Sequence, residues 1–339
     1  MNVKKHLINY RVIKPFLLMA LSFLLVTGCN SSEIQLSDIS TQRAPRFAEC
    51  QVVEHPLGKT CIPLKPQRII LDSWFLDPLF ALEVKGSIVG TTCPTWWWIA
   101  KGCVASGLSS DQIEGIETVG NYPPSLEKIL LLKPDLILGS DSFKSIYKQL
   151  SNIAPTVLIN WDDIKFSFKS YLLHIAQLFD REEVAKEILV QYQNRVAEVR
   201  KQLGDQLKNA EVSVIIYGCA GNNGFSVPPR YAIWFQILDD LGIKIKPIFS
   251  MSQEDWCTTF DSIETINNYD SDILFIANLH SKSGYFILEK PLVSSLNAVK
   301  NGRAYVIDGQ DVWDVYGPLG VNRLLDLLSK HLLKAAQSF

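Results

Sequence analysis

The stretch Asp180-REEVAKEILVQYQNRVAEVRKQL-Gly204 decides how the chain is organised. Val184, Ile188, Leu189, Tyr192, Val196, Val199 and Leu203 recur at helical spacing, and no proline or glycine interrupts the run. Asp180 stands where an N-cap is expected. A helix of about 22 residues at 1.5 Å per residue spans roughly 33 Å. Placed in mid-chain, an element that long can bridge two lobes.

Each flank of this helix repeats one pattern. Before it, the apolar runs RIIL (68–71), SIVGT (87–91), DLILG (135–139) and TVLI (156–159) alternate with helical segments such as Asp77 to Val84 and Leu126 to Leu132. After Gly204 the alternation restarts with VSVIIYG (212–218), TTFD (258–261), DILFIA (272–277) and AYVID (304–308). Strands alternating with helices mean βαβ units and mostly parallel sheets. The halves also share a matched piece. Ser125-Leu126-Glu127-Lys128-Ile129 leads into Asp135-Leu136-Ile137, and Ser262-Ile263-Glu264-Thr265-Ile266 leads into Asp272-Ile273-Leu274, with ten residues from Ser to Asp in both. A single first-turn glutamate is ordinary helix capping, worth about 0.3–1 kcal/mol. Equivalent acids in two pseudo-symmetric lobes form a matched pair on one rim, which suits docking onto a two-fold partner.

The N-terminal region sets the expected compartment. Residues 1–15 are basic and polar, and FLLMALSFLLV (16–26) is too short to span a bilayer stably, so residues 1–28 read as a signal peptide. The run ends in Val26-Thr27-Gly28-Cys29, which resembles a bacterial lipobox with Cys29 as the lipidated residue, and a polar tether follows. Of the 339 residues, 47% are hydrophobic and 20% charged, which excludes disorder and coiled coil. Four of the 33 Lys and Arg residues lie in the leader, leaving 29 basic against 35 acidic residues, a balance that argues against nucleic acid as the partner. Six cysteines remain after Cys29 in a compartment that permits disulfides. Cys50 with Cys61 and Cys93 with Cys103 are the simplest local pairs among 15 connectivities, leaving Cys219 with Cys257. No C-x-x-C or H-x₃-H spacing supports a structural zinc.

With PQRIILD (66–72), VGNYPPSLEKILLLKPDLILG (119–139), the long helix, ILDDLGI (237–243), SIETINNYDSDILF (262–275), LNAVKNGRAYVID (296–308) and GPLGVNRLLDLLSKHL (317–332) in this order, the chain resembles class III substrate-binding proteins of bacterial ABC importers, the ferric-siderophore and cobalamin binders. The resemblance implies two Rossmann-like α/β lobes joined by a single long backbone helix, with a ligand cleft between them. It divides the chain into the signal peptide (1–28), a tether with a disulfide-closed hairpin (29–65), an N-terminal lobe (66–180), the inter-lobe helix (181–204) and a C-terminal lobe (205–339). It implies a lipid-anchored monomer on the outer side of the cytoplasmic membrane, carrying a ferric siderophore to an ABC permease dimer with its ATPase. Glu127 and Glu264 match the glutamates that meet permease arginines in that family. No cofactor is expected beyond the iron inside the cargo.

Cleft residues are expected in loops at strand ends. They are Trp74, Trp96, Trp97 and Trp98 with Lys101 nearby, and Tyr122 from the first lobe, then Phe225, Arg230, Tyr231, Trp256, Trp313 and Tyr316 from the second. Arg230 is the best anion-binding candidate, because a guanidinium grips carboxylate or hydroxamate oxygens in a bidentate fork. Naked-metal binding is disfavoured: after the leader only His55, His174, His280 and His331 remain, and two of them look like helix-face residues. Haem would call on Tyr231 or His280, and cobalamin on the aromatic walls alone. An enzyme is disfavoured, since GCAGNNG (218–224) has neither GxGxxG nor a Walker lysine and no G-x-S-x-G occurs. A structural lipoprotein with a filled cleft is the remaining rival.

Overall fold

Ile69, Ile70 and Leu71 are all buried and form the central strand of a first sheet. Continuous rather than alternating hydrophobicity is what a parallel strand covered on both faces requires. Ile69 and Leu71 join one core cluster and Ile70 the cluster on the opposite face. The computed structural model describes residues 50–93, 108–109, 111–160, 167–218, 221–247, 261–279, 286–309 and 315–339.

A hairpin of β1 (Cys50–His55) and β2 (Gly58–Pro63) comes first, closed by the expected Cys50–Cys61 disulfide. Thr60 Oγ1 donates to the Thr156 carbonyl at 3.0 Å and ties it to the first lobe. The sheet then runs through β3 (Ile69–Leu71), β4 (Ile88–Thr91), β5 (Glu117–Thr118), β6 (Leu136–Gly139) and β7 (Thr156–Leu158), in the order β5-β4-β3-β6-β7 and parallel throughout. Helices α1 (Leu76–Ala81) and α2 (Leu126–Leu131) belong to its crossovers.

The second sheet contains β8 (Glu211–Gly218), β9 (Gly221–Ser226), β10 (Lys244–Ile245), β11 (Asp261–Ser262), β12 (Ile273–Asn278) and β13 (Ala304–Asp308). β10, β8, β12 and β13 run parallel and repeat the β4-β3-β6-β7 arrangement. β9 and β11 add antiparallel pairings at the carboxyl end of β8. The expected loop from 218 therefore contains a strand, which its glycines hide from a propensity reading. The duplication is physical as well as sequential. The Asp135 carboxyl accepts from the backbone of Gln67 and Arg68 just before β3, and that of Asp272 accepts from Glu211 N at the start of β8.

Between the sheets, α3 (Phe168–Leu178) leads into α4 (Glu182–Leu203), the long helix. Asp180 is not its cap: it takes a left-handed backbone (φ 55°), and Arg181 holds the N-cap position. The apolar stripe of α4 divides as a bridge requires, with Val184, Ala185 and Ile188 packed on the first lobe and Tyr192, Val196, Val199 and Leu203 on the second. The helix does not act alone. Phe168, at the start of α3, sits in the second lobe's core, while Tyr171, Leu172 and Ile175 sit in the first lobe's. Lys169 Nζ pairs with Asp240 at 2.8 Å, at the end of α5 (Ile233–Asp240), and Tyr192 OH donates to the same carboxyl at 2.8 Å. The closing helix α6 (Pro318–Ala336) packs on α4, where the Arg195 guanidinium bonds Asn322 and Asp326.

Candidate functional site

The carboxyl ends of β3, β4 and β6 converge on one side chain that the sequence reading passed over. Asp72, the residue after β3, is 0% exposed. Its Oδ1 accepts from Thr92 Oγ1 (3.1 Å) and from the Tyr122 hydroxyl. Its Oδ2 accepts from Ser140 Oγ (2.5 Å) and Ser142 Oγ (2.9 Å). Thr92 follows β4 and Ser140 follows β6, so one carboxyl group ties three strand ends together. A buried carboxyl group needs its lone pairs occupied, and four hydroxyls supply that. Burial and the neighbouring Asp72 push the Tyr122 phenol well above its ordinary pKa, so it remains a neutral donor. Tyr122, one of the expected cleft residues, is thereby held in one orientation and stays partly exposed.

Trp74 and Tyr316 are brought together. Their rings meet edge to face at 5.2 Å, Trp74 from the turn after β3 and Tyr316 from the segment after β13. Although its segment follows the second lobe's last strand, Tyr316 packs against the first lobe's core, at the strand ends where open α/β sheets bind ligands. Tyr171 OH donates to the Trp74 carbonyl at 3.1 Å and fixes the turn from below. Beside this pair lies Asp77 of α1, buried among apolar neighbours. It accepts from Leu319 N (2.9 Å) and Gly320 N (2.7 Å), capping the first turn of α6 from the opposite lobe. Burial raises the Asp77 carboxyl to about 7, against the lowering pull of those two amides and Arg323. The Gly317 Cα packs so closely on Asp77 that any side chain there would overlap the carboxyl group.

Two expected cleft residues have other work in the structure. Phe225 lies on β9, is 0% exposed and packs edge-on to Tyr269 at 4.8 Å, so it is core. The Arg230 guanidinium, 48% exposed, pairs with Asp239 at 2.5 Å and lies 5.8 Å from the Phe235 ring, which leaves its charge engaged at the surface. Tyr231 is partly exposed, and its carbonyl accepts from Gln236. Trp96, Trp97, Trp98, Lys101, Trp256 and Trp313 lie outside the described residues, as do Cys29, Cys103, Cys219, Cys257 and His280. Cys93 is disulfide-bonded, but the expected partner Cys103 is among those residues. Of the other histidines, His55 bonds Thr60 at 2.9 Å and His331 packs on Tyr305, and no group of three metal-ligating side chains occurs among the described residues.

Glu127 and Glu264 are both exposed, each in the first turn of a helix whose N-cap serine accepts a backbone N–H. The first helix is α2; the second, Ile263–Tyr269, winds as a 3-10 helix.

A doubled α/β frame bridged by one long helix, with aromatic side chains at the strand ends, is the build of a solute-binding protein. Residues 69–310 match the periplasmic binding protein family, and the chain belongs to it. It is 29% identical to a protein of Bacillus subtilis (strain 168) named as the probable siderophore-binding lipoprotein YfiY, over 98% of this chain and 99% of that one. It is 28% identical to the Fe(3+)-citrate-binding protein YfmC of the same organism, over 89% and 91% of the two chains. The crystal structure of the petrobactin-binding protein YclQ from B. subtilis superposes with a TM-score of 0.67 at 25% identity, covering 84% of this chain and 99% of that one.

Proposed function

We propose that this protein captures a ferric siderophore between its lobes outside the cytoplasmic membrane, where a lipid on Cys29 anchors it, and hands the cargo unchanged to an ABC permease. The observation that carries the reading is likeness along nearly the whole chain to a relative named for siderophore binding. The site fits it. Siderophore chelates present broad organic surfaces around a saturated iron, so the protein needs rigid aromatic walls and a few oriented donors rather than metal ligands. Trp74, Tyr316, Tyr231 and the Asp72-anchored Tyr122 supply these on the two lobes. Glu127 and Glu264 are the groups that meet permease arginines.

Tryptophan fluorescence titrated with ferric citrate, ferric petrobactin and a ferric hydroxamate is expected to quench saturably with at least one of them; no response to any would remove the reading. The double variant E127A/E264A is expected to keep the same ligand affinity and lose uptake of radioactive iron by cells.

A further inference from the structure

The chain that leads from Cys29 reaches β1 at Cys50. Cys50 pairs with Pro63 at the open end of the hairpin, and His55 pairs with Gly58 at the turn. Tension on the preceding chain would load this antiparallel ladder one register pair at a time, beginning at Cys50. The disulfide changes that path. It joins Cys50 to Cys61, whose own register partner is Val52, so residues 51–60 lie inside a closed ring. A load arriving at Cys50 crosses to Cys61 and runs through Ile62 and Pro63 to Gln67 and Arg68, whose backbone amides donate to the Asp135 carboxyl at 2.7 and 2.9 Å. Inside the ring stand residues that seat the hairpin on the first lobe: Val53 in its core, His55 against Tyr147, and Thr60 on the Thr156 carbonyl. Cys50 and Cys61 are themselves exposed, on the outer face with Val52 and the Glu54–Lys59 ion pair. The seating contacts and the covalent bond therefore occupy opposite faces, and the seating does not use the sulfurs.

We infer that the Cys50–Cys61 bond is a mechanical latch: it carries tension from the anchored end of the chain past β1 into the first sheet, so that the hairpin stays seated while the protein is held at a membrane. Its position at the first residue of β1 is what a load path requires, since a bond nearer the turn would leave the leading register pairs to open one after another. The source of the load rests on the proposed lipid on Cys29.

The test pulls the mature chain in optical tweezers between its C-terminus and one of two handles, carried by an unnatural side chain either at Ser40, ahead of the hairpin, or at Lys65, beyond it. Pulled from Ser40, C50S/C61S is expected to show an early extension of roughly 20 Å, the contour of the six residues of β1, that wild type lacks. Pulled from Lys65, the two proteins are expected to unfold at the same force, which separates a load-bearing bond from one that stabilises the lobe generally. Wild type reduced after folding is expected to reproduce the variant's early step from Ser40, so the test stands even if the variant folds poorly. An early step in oxidised wild type, no step once the bond is gone, or an equal loss of force from both handles would overturn the inference. Membrane partition of Cys29→Ala judges the anchor separately: if it matches wild type, the anchor reading fails, while the pulling traces still decide the latch.

Discussion

Asp72 and its four hydroxyl partners form the tightest polar knot at the strand ends. Asn at this position keeps one acceptor oxygen and turns an amide donor toward hydroxyls that already need acceptors. Asp72→Asn is therefore expected to cost about 1–3 kcal/mol in urea unfolding and to weaken siderophore binding by releasing Tyr122. Tyr122→Phe, which removes a single donor, should cost less on both counts. Arg230→Ala is expected to change stability by under about 1 kcal/mol, because its ion pair is half exposed, and to leave siderophore affinity unaltered. A clear affinity loss in isothermal titration would return Arg230 to the ligand. These outcomes mark what single residues disclose in a sequence. Trp74 was legible because it follows the strand signal RIIL, and Tyr122 because it lies just before the helix of Glu127. Asp72 was not, because its partners stand at 92, 122, 140 and 142 and only folding gathers them. Phe225 looked like a loop residue because glycines concealed its strand, and the distance from Arg230 to Asp239 in sequence gave no hint of their pairing.

At the scale of elements, the long helix was readable to its full extent because its stripe is local, and the matched Ser–Glu–Asp spacing located both crossover units. The second unit winds as a 3-10 helix, where Asn267 and Asn268 favour turns over α-helix. The docking of α6 on α1 had no local signal. Its energetics carry a pH signature. The Asp77 carboxyl has a folded value of about 7 against 3.8 for an ordinary side chain. A raised acid favours folding fully below the unfolded value, and that contribution is lost as pH rises through the folded one. From about pH 4 to about pH 7 this group should therefore lower stability by roughly 3–4 kcal/mol. Chemical denaturation of wild type and Asp77→Asn across that range is expected to give a difference curve with this slope, the variant lacking it. Gly317→Ala should lower the melting temperature at every pH, since its methyl group displaces the cap itself.

For the molecule as a whole, three helices tie the lobes: α4 along its length, α3 through Phe168 and Lys169, and α6 through Asp77. The resemblance implied a single joining helix, and the two added ties should restrict hinge motion between the lobes. Small-angle scattering of empty and loaded protein is expected to give radii of gyration that agree within error, and a large contraction on loading would contradict the three-helix brace. The ties also govern how the protein comes to exist. The Asp77 carboxyl finds its amide partner 242 residues downstream, so the first lobe lacks its seal until the last helix is made. A chain obliged to wait for its own end stays unfinished during synthesis, its first half held open until the last helix arrives.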